Sequence, residues 1–489
     1  MRVALVQAPI FDHRTPSNAL ALLTAILKRD GFEARIHDAN KCIANKFSKL
    51  LSDDFPDART FTPVMDRHED TTARLLDEET EHILSSDPDV VGFSVLARTE
   101  KYSLELAERI KKSRPAVRIV FGGAQCLREN MAEEFIRHSA VDAVALSEAD
   151  VSFPLFLRSL GARGAALPAT PGMLVKQGGN VLDGGDPPPV SDLDSLPFLD
   201  FGQFNLEEYN GEILYLSTTR GCVRKCSFCT HIIGQKVYRT MSAERTVAEI
   251  RHQINLHPNR RMVEFNDSLV NGNVRRLAEI ADMLADYRLE RVAAGRHGDK
   301  DFGWLGMAIL HPTMTAELLK KLRFSGCAQL KYGLESASQK VLDSMQKKFK
   351  IADGERVIRD TWKAGISVFL FILVGFPTET EEDFQQTLDF IRRNAPFIDH
   401  VGVSSCEIQK GSHMDVHPEL YGIQTPIEDR LRWRTSDGRN TYEIRQDRLR
   451  RMQDLLRRFK LLQYEFPTRL GMTLEKEPEY NFYELSGAA

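Results

Sequence analysis

Twelve residues constrain this chain more than any others. From Arg220 to His231 it reads Arg-Gly-Cys-Val-Arg-Lys-Cys-Ser-Phe-Cys-Thr-His, so Cys222, Cys226 and Cys229 are spaced C-x3-C-x2-C, and no fourth cysteine follows within ninety residues. A closed [4Fe–4S] electron carrier takes four thiolates, one per iron. Three on one short loop leave an iron without a protein ligand, and an open metal position marks catalysis where a closed one marks structure. His231 would complete a Cys3His zinc set, but the spacing fits no common zinc module. Incidental core cysteines do not crowd three into eight residues of a Gly- and Arg-containing loop. The loop follows an apolar run, Ile213–Thr218, so the fold must present it at the carboxyl end of a strand.

Composition enters as a boundary. At 489 residues the chain has room for two or three domains with real cores. With 42 % apolar residues, 27 % charged and a net charge of −4, it reads as an ordinary soluble α/β protein. That balance argues against a nucleic-acid scaffold or a polybasic membrane binder and leaves a small anionic substrate open. The longest apolar run, Ile366–Phe376, has eleven residues, too few to span a bilayer. The N-terminus runs straight into a strand-like pattern, so no signal peptide is expected. Beyond the motif, Cys42, Cys126, Cys327 and Cys406 are scattered, which suits a reducing cytoplasm better than a disulfide framework.

Residues 1 to about 160 alternate strand-like runs (Arg2–Ala8, Phe32–Asp38, Val90–Leu96, Arg118–Gly122, Asp142–Leu146) with amphipathic stretches (Asn18–Lys28, Tyr102–Ser113, Met131–His138). Continuous runs such as Val-Val-Gly-Phe-Ser-Val fit strands covered on both faces. The expectation is a doubly wound parallel sheet with ligands at its carboxyl ends. In the long interval Lys41–Asp89, Thr71–Ser85 reads as helix and the acidic, polar part before it as a surface excursion. Residues 161–210 read as a linker holding a hairpin-like Met173–Leu182 around Gly178-Gly179 and the Pro187-Pro188-Pro189 run.

Residues 211–410 repeat a strand–helix unit six times. The strands are Ile213–Thr218, Met262–Asn266, Trp304–Ile309, Gln329–Leu334, Val368–Gly375 and His400–Cys406. The helices are Ala243–Asn255, Val274–Tyr287, Thr315–Phe324, Ile351–Ala364 and Glu381–Arg393. Six such units make an open, partial barrel whose chemistry sits at the strand carboxyl ends, where the cysteine loop falls. Asn271-Gly272-Asn273 reads as a substrate loop or a helix cap. From 411 to 489 a basic amphipathic helix around Arg445–Tyr464 precedes an aromatic tail. Its arginines (Arg448, Arg450, Arg451, Arg457, Arg458) read as a solvated face of a helix closing the barrel.

The cysteine spacing with Phe228 before the last cysteine resembles the radical SAM superfamily. The resemblance implies a cluster whose open iron chelates S-adenosylmethionine and yields a 5′-deoxyadenosyl radical. It further implies methionyl contacts at Glu264, Asn266 and Asp267, and ribose and carboxylate contacts at Gly333 and Glu335. The adenine edge would lie near Gly375 and Pro377, with Phe228 as an aromatic wall. The first half resembles the cobalamin-binding domain that precedes many such barrels, through Gln7-Ala8-Pro9, Asp38-Ala39-Asn40, Gly122-Gly123 and Ser147-Glu148, with Ser94 on the same rim. A tight turn explains Gly122-Gly123 equally well. No Asp-x-His-x-x-Gly occurs, so a histidine replacing the lower base is not implied, and His13 reads as a loop histidine. With cobalamin present, the resemblance implies methyl transfer to an unreactive carbon of a small molecule. Without it, the resemblance implies radical dehydration of a sugar-like or aminoglycoside-like substrate. Tyr215 is a candidate proton donor and Cys406 or Cys327 a candidate thiol relay. A reducing partner such as flavodoxin or ferredoxin is implied, and no nucleic acid.

Overall fold

A computed structural model describes residues 1–12, 15–51, 64–162, 169–209, 213–295 and 302–462, in two compact units that divide between Tyr215 and Leu216. His13 and the aromatic tail lie outside the described residues.

The first unit carries a seven-stranded sheet, made of β1 (Arg2–Val6), β2 (Glu33–His37), β3 (Val90–Ser94), β4 (Arg118–Gly122), β5 (Ala143–Ala145), β6 (Met173–Gln177) and β7 (Asn180–Asp183), in the order 2-1-3-4-5-6-7. Strands β1 to β5 pair in parallel, and the β6–β7 hairpin joins antiparallel at β5. The helices are α1 (Asn18–Arg29), α2 (Ala39–Leu51), α3 (Glu69–Ser85), α4 (Glu100–Ser113), α5 (Ala132–Arg137) and α6 (Ala149–Ala162). One core gathers Ile43, Phe47, Leu76, Leu106, Phe121 and Phe135. The other gathers Leu5, Leu20, Phe153, Phe156 and Phe201. A sheet apolar on both faces needs both, which is why β3 is a continuous apolar run.

One expectation changes here, and α2 is an element the sequence pattern left unassigned; the acidic, polar stretch expected as a surface excursion lies largely outside the described residues. Ala39, Ile43, Ala44 and Phe47 recur at helical spacing and are buried, while lysines at 41, 46 and 49 dilute the apolar signal. The hairpin expected in the linker extends the first sheet instead, because Met173, Leu174 and Val175 cover the β5 edge with buried side chains. Phe201, Phe204 and Tyr209 then close on the second core.

The second sheet runs β8 (Ile213–Leu216), β11 (Met262–Phe265), β12 (Gly303–Ala308), β13 (Cys327–Glu335), β14 (Ser367–Val374), β15 (His400–Ser405), in chain order, as an open sheet. A small ladder of β9 (Thr219–Arg220) with β10 (Arg239–Thr240) follows β8. The crossover helices are α7 (Ala243–Leu256), α8 (Val274–Ala293), α9 (Ala316–Phe324), α10 (Gln339–Ser344), α11 (Ile351–Lys363) and α12 (Glu381–Asn394). Chain-order parallel pairing without closure is the partial barrel expected from the repeats. Cys327 opens β13 rather than preceding it.

The final helix, α13 (Tyr442–Arg458), packs on β14, β15 and α12, and Val401 N–H donates to the Leu461 carbonyl at 2.9 Å. Its basic face is only partly solvated. Arg445 is fully buried over Trp433, 3.9 Å from the ring centroid, and Arg448 is buried against Glu379 at 3.1 Å. Among the described residues, no helix is long and apolar enough to cross a membrane.

Candidate active site

The cysteine loop is pinned from below. Asp267, after β11, accepts from Thr218 N–H and Oγ1 at 2.7 Å and from Thr219 N–H at 2.9 Å. Arg276, buried in the first turn of α8, reaches Thr218 Oγ1 at 3.0 Å and Thr246 Oγ1 at 2.7 Å. This network ties the end of β8 to β11, α7 and α8. Burial pushes the Asp267 carboxyl above its usual range, opposed by those hydrogen bonds and by Arg276. Asp267 therefore holds protein, not a methionyl ammonium.

Above it, Gly221 adopts φ +78°, with its N–H on Gln235 Oε1 at 2.7 Å. A Cβ there would stand 2.7 Å from the Val237 carbonyl oxygen, so only glycine fits. Between the second and third cysteines, Ser227 is fully buried and makes three bonds. Its N–H donates to Met345 O at 3.1 Å, its hydroxyl to Ser344 O at 3.4 Å, and its carbonyl accepts from Met414 N–H at 3.1 Å. The loop is thus clamped between the end of α10 and the segment after β15.

Cys222, Cys226 and Cys229 are free, half-buried thiols. Burial raises all three, and the Lys347 ammonium opposes that rise at each. Arg224 N–H also donates to Cys222 Sγ at 3.4 Å. Among the described residues no three His, Cys, Asp or Glu side chains converge as on a single metal ion. Cluster thiolates each take a different iron, so they need to line a loop rather than meet at a point. Three free thiols, an N–H on sulfur and a nearby cation fit such a cluster. His231 instead lies 3.4 Å from Ser268 Oγ through Nδ1.

Glu335, with φ +64°, pairs with Lys347 at 3.2 Å, and Lys347 Nζ stands 5.9 Å above the Phe228 ring. Gly333 lies beneath this pair, since a Cβ there would meet Lys347 Nζ at 2.9 Å. Phe228, Gly333 and Glu335 therefore come together around Lys347, next to the cysteines. Glu264 is deeper: its Oε1 accepts from Lys331 at 2.6 Å, in a pair whose side chains are 8 % and 2 % exposed. Asn266, directly after the end of β11, is exposed.

Other expected contacts resolve differently. Gly375 N–H donates to Glu379 Oε2 at 2.7 Å, while the Gly375 and Phe376 carbonyls accept from Asn440 Nδ2. Those groups face protein, so the expected adenine edge is not free there. Pro377 instead lines a cavity of about 1020 Å³ with Thr378, Tyr421 and Arg448. Asn271 binds the Ile309 backbone through both amide atoms at 2.9 Å, and Asn273 caps α8, so this triplet is structural. Cys406 is enclosed with Met345, Phe376 and Trp433, and burial pushes its thiol up to about 12. Cys327 is likewise buried and pushed up. Neither is poised as a relay. Tyr215 is half-buried and alternates with buried Leu214 and Leu216, so it faces away from the side those leucines cover.

In the first unit, the strand order puts the topological switch between β1 and β3. Ser94 ends β3, and Gly122 ends β4 with its carbonyl on Val95 N–H at 2.6 Å. Gly123 has φ +104°, and a Cβ there would lie 2.8 Å from the Val95 carbonyl oxygen, which makes this glycine a turn packed on backbone. Beside the switch, Gln7 Oε1, Thr15 Oγ1 and Asn40 Nδ2 are buried without a hydrogen-bond partner. A bound amide-rich group would relieve them, and a corrin carries amides around its rim.

Sequence reasoning missed Lys347, Lys331 and Ser227. Lys347 lies in an ordinary basic run, Gln346-Lys347-Lys348, and its only signal is a turn with positive φ at Gln346 and Lys348, which sequence does not show. Lys331 sits at an inward register of a strand, where a lone lysine in Gln-Leu-Lys-Tyr-Gly-Leu was a readable anomaly.

Residues 216–391 match the radical SAM superfamily model. An uncharacterized methyltransferase of Pyrococcus horikoshii is 23 % identical over 313 residues, covering 63 % of this chain and 64 % of that protein. The chain thus spans a little under two thirds of that relative's length. Among solved structures, the cobalamin-dependent S-adenosylmethionine radical enzyme OxsB, with aqua-cobalamin and S-adenosylmethionine bound, aligns at TM-score 0.62 and 16 % identity, over 86 % of this chain and 55 % of that one. The radical S-adenosylmethionine methyltransferase TsrM of Kitasatospora setae, with tryptophan and a SAM analog bound, aligns at TM-score 0.64 and 17 % identity, over 87 % and 78 %.

Proposed function

We propose, from the premise that the chain carries a radical SAM domain preceded by a cobalamin-type doubly wound domain, that it methylates an unreactive carbon of a small molecule. When bound, the cluster and S-adenosylmethionine supply a 5′-deoxyadenosyl radical, and cobalamin a transferable methyl group. The observation that carries the reading is the clamped cysteine loop with the Glu335–Lys347 pair beside it.

In this reading Cys222, Cys226 and Cys229 hold three irons. Phe228 excludes water from their inner side. Exposed Asn266 and the Glu335 carboxylate accept from the methionyl ammonium and ribose hydroxyls, for which oxygen acceptors are the right chemistry. Lys347 pairs with Glu335 and offers a cation to the methionyl carboxylate. Glu264, neutralised by Lys331, braces the floor. Tyr215 is the candidate proton donor. In the first unit Ser94, Gly122 and Gly123 shape the rim, and Gln7, Thr15 and Asn40 offer polar atoms to the corrin amides. The relative named as a methyltransferase favours methyl transfer over dehydration.

The test is anaerobic reconstitution with iron, sulfide and hydroxocobalamin, desalting, then incubation with dithionite and S-adenosylmethionine. Iron–sulfur absorbance, retained corrin bands and 5′-deoxyadenosine support the reading. A cluster without corrin removes the methyl transfer, and no 5′-deoxyadenosine removes the radical assignment.

A further inference from the structure

Strands of the second sheet have a helix side and an opposite side, and one hydrogen bond tells them apart. The Tyr332 hydroxyl meets Thr361 Oγ1 of α11 at 2.9 Å. Tyr332 and its register partner Leu370 therefore face the helices, with Val368, Ile372 and Val374 buried in the same row of β14. The alternate residues Phe369, Phe371 and Leu373 share the opposite side with Lys331 and Gly333. All three are only half-buried, although β14 has a strand on each side of it. On the same side Met307, the register partner of Lys331 on β12, is 41 % exposed. Apolar side chains left open in the middle of a sheet, beside the Glu335–Lys347 pair, are surface that a ligand would cover.

The strip has a shape. The Phe369 and Phe371 ring centroids lie 4.8 Å apart with the planes tilted by 46°. Gly402, the register partner of Phe371 on β15, leaves the room they lean into, since a Cβ there would stand 3.2 Å from Phe369 and 3.4 Å from Phe371. Gly333 stands on the other side of Phe371, so this ring has a glycine at each flank. Glycines inside strands are places where another group approaches closely. The strip also runs on to the cysteine loop, because Leu373 and Phe228 pack against the same buried cluster around Met345 and Phe376. We infer that Phe369, Phe371 and Met307 form the substrate wall, and that the substrate presents a flat, conjugated ring system to it. The inference deepens the methyl-transfer reading and rests on it for the reaction, though not for the binding. A ring laid on this wall removes apolar surface from water and gains aromatic and sulfur–aromatic contacts. A polyol needs hydrogen-bond partners along its length, which Phe369, Phe371, Leu373 and Met307 do not supply, and Lys331 is paired with Glu264 at 2.6 Å.

The probes are naphthol, a flat conjugated ring; adamantanol, an apolar cage with no π face; and inositol, a polyol. Each is measured by equilibrium dialysis against the reconstituted full-length chain. Naphthol is expected to bind saturably and about threefold more tightly than adamantanol, with inositol not retained. Phe371→Ala is expected to weaken naphthol about fivefold, the loss of one ring contact. Met307→Gln, at an exposed position where folding is not at stake, is expected to weaken it about threefold. Iron content and the circular dichroism spectrum are expected to hold in both variants. Naphthol binding that is absent, no tighter than that of adamantanol or inositol, or equal in wild type and both variants overturns the inference. Failure of dithionite and S-adenosylmethionine to give 5′-deoxyadenosine in the wild type overturns the functional reading instead, and the dialysis still decides the ring site.

Discussion

The two units present their strand ends in opposite chemical styles. At the rim of the first sheet the orphaned groups are neutral amides and a hydroxyl (Gln7, Asn40, Thr15), and the half-buried Asp38 carboxylate accepts from the Tyr209 hydroxyl at 2.6 Å. At the rim of the second, the polar groups are thiols and ion pairs: Glu264–Lys331, Glu335–Lys347 and Glu379–Arg448. A neutral rim suits a large ligand held by many weak hydrogen bonds. A charged rim suits a zwitterion and a redox centre, whose charges need fixed partners in a low dielectric. One scaffold principle, ligands at the carboxyl ends of parallel strands, thus serves two chemistries through the residues grafted on it.

The sharpest way to break this contrast is Cys226→Ala. Iron binding and 5′-deoxyadenosine formation are expected to fall at least a thousandfold with the circular dichroism spectrum unchanged; full turnover would sink the cluster assignment. Next is Lys331→Met, which strands the buried Glu264 and is expected to cost about 3–5 kcal/mol in urea unfolding of the second unit. Recovery in the Glu264→Gln/Lys331→Met double variant would identify the pair as the cause. Gly221→Ala forces a left-handed turn onto a side chain against the Val237 carbonyl. About 1–3 kcal/mol and most reconstituted iron are expected to be lost, and wild-type iron content would refute the steric account.

On the neutral rim, Gln7→Leu is expected to weaken cobalamin retention about tenfold after desalting while cluster assembly stays intact. A loss of both would mean that the two rims are not separable. The smallest effect concerns pH. Burial, with His82 and Arg35 adding to it, pulls His37 down to about 4 from 6.5. The folded group is thus depressed, and between those values the unfolded chain binds more protons. Stability contributed by neutral His37 is full above pH 6.5 and lost as pH falls towards 4. Urea melts of the first unit's transition at pH 7.5 and 5.5 are expected to differ less in His37→Phe than in the wild type.

Much of this architecture was legible in the chain. Val90–Ser94 and Ser367–Val374 are short apolar runs bounded by turns, the length and composition of a parallel strand. The Thr380–Asp383 capping box started α12 where the pattern placed it. Helix α2 was hidden because its lysines interleave with Ile43 and Phe47, and the β6–β7 hairpin because strand pairing with a distant edge leaves no local mark. At the site, Cys222, Cys226, Cys229 and Phe228 were readable, since their chemistry depends on spacing within one loop. Asp267, Gly375 and Cys406 were readable as positions but not in their partners.

What the sequence determined by itself is therefore what is local: the order of strands and helices, the thiol loop at a strand end, and the glycine at 221 that a left-handed turn requires. Tertiary structure alone decided which charges meet. Lys347 reaches Glu335 and the cysteines only because α10 ends in a turn that brings it back over Phe228. Lys331 reaches Glu264 only because β13 and β11 lie on either side of β12. Periodicity and capping act within a few residues and so leave a trace in sequence. Ion pairs between strands tens of residues apart depend on register and packing, which no single segment encodes.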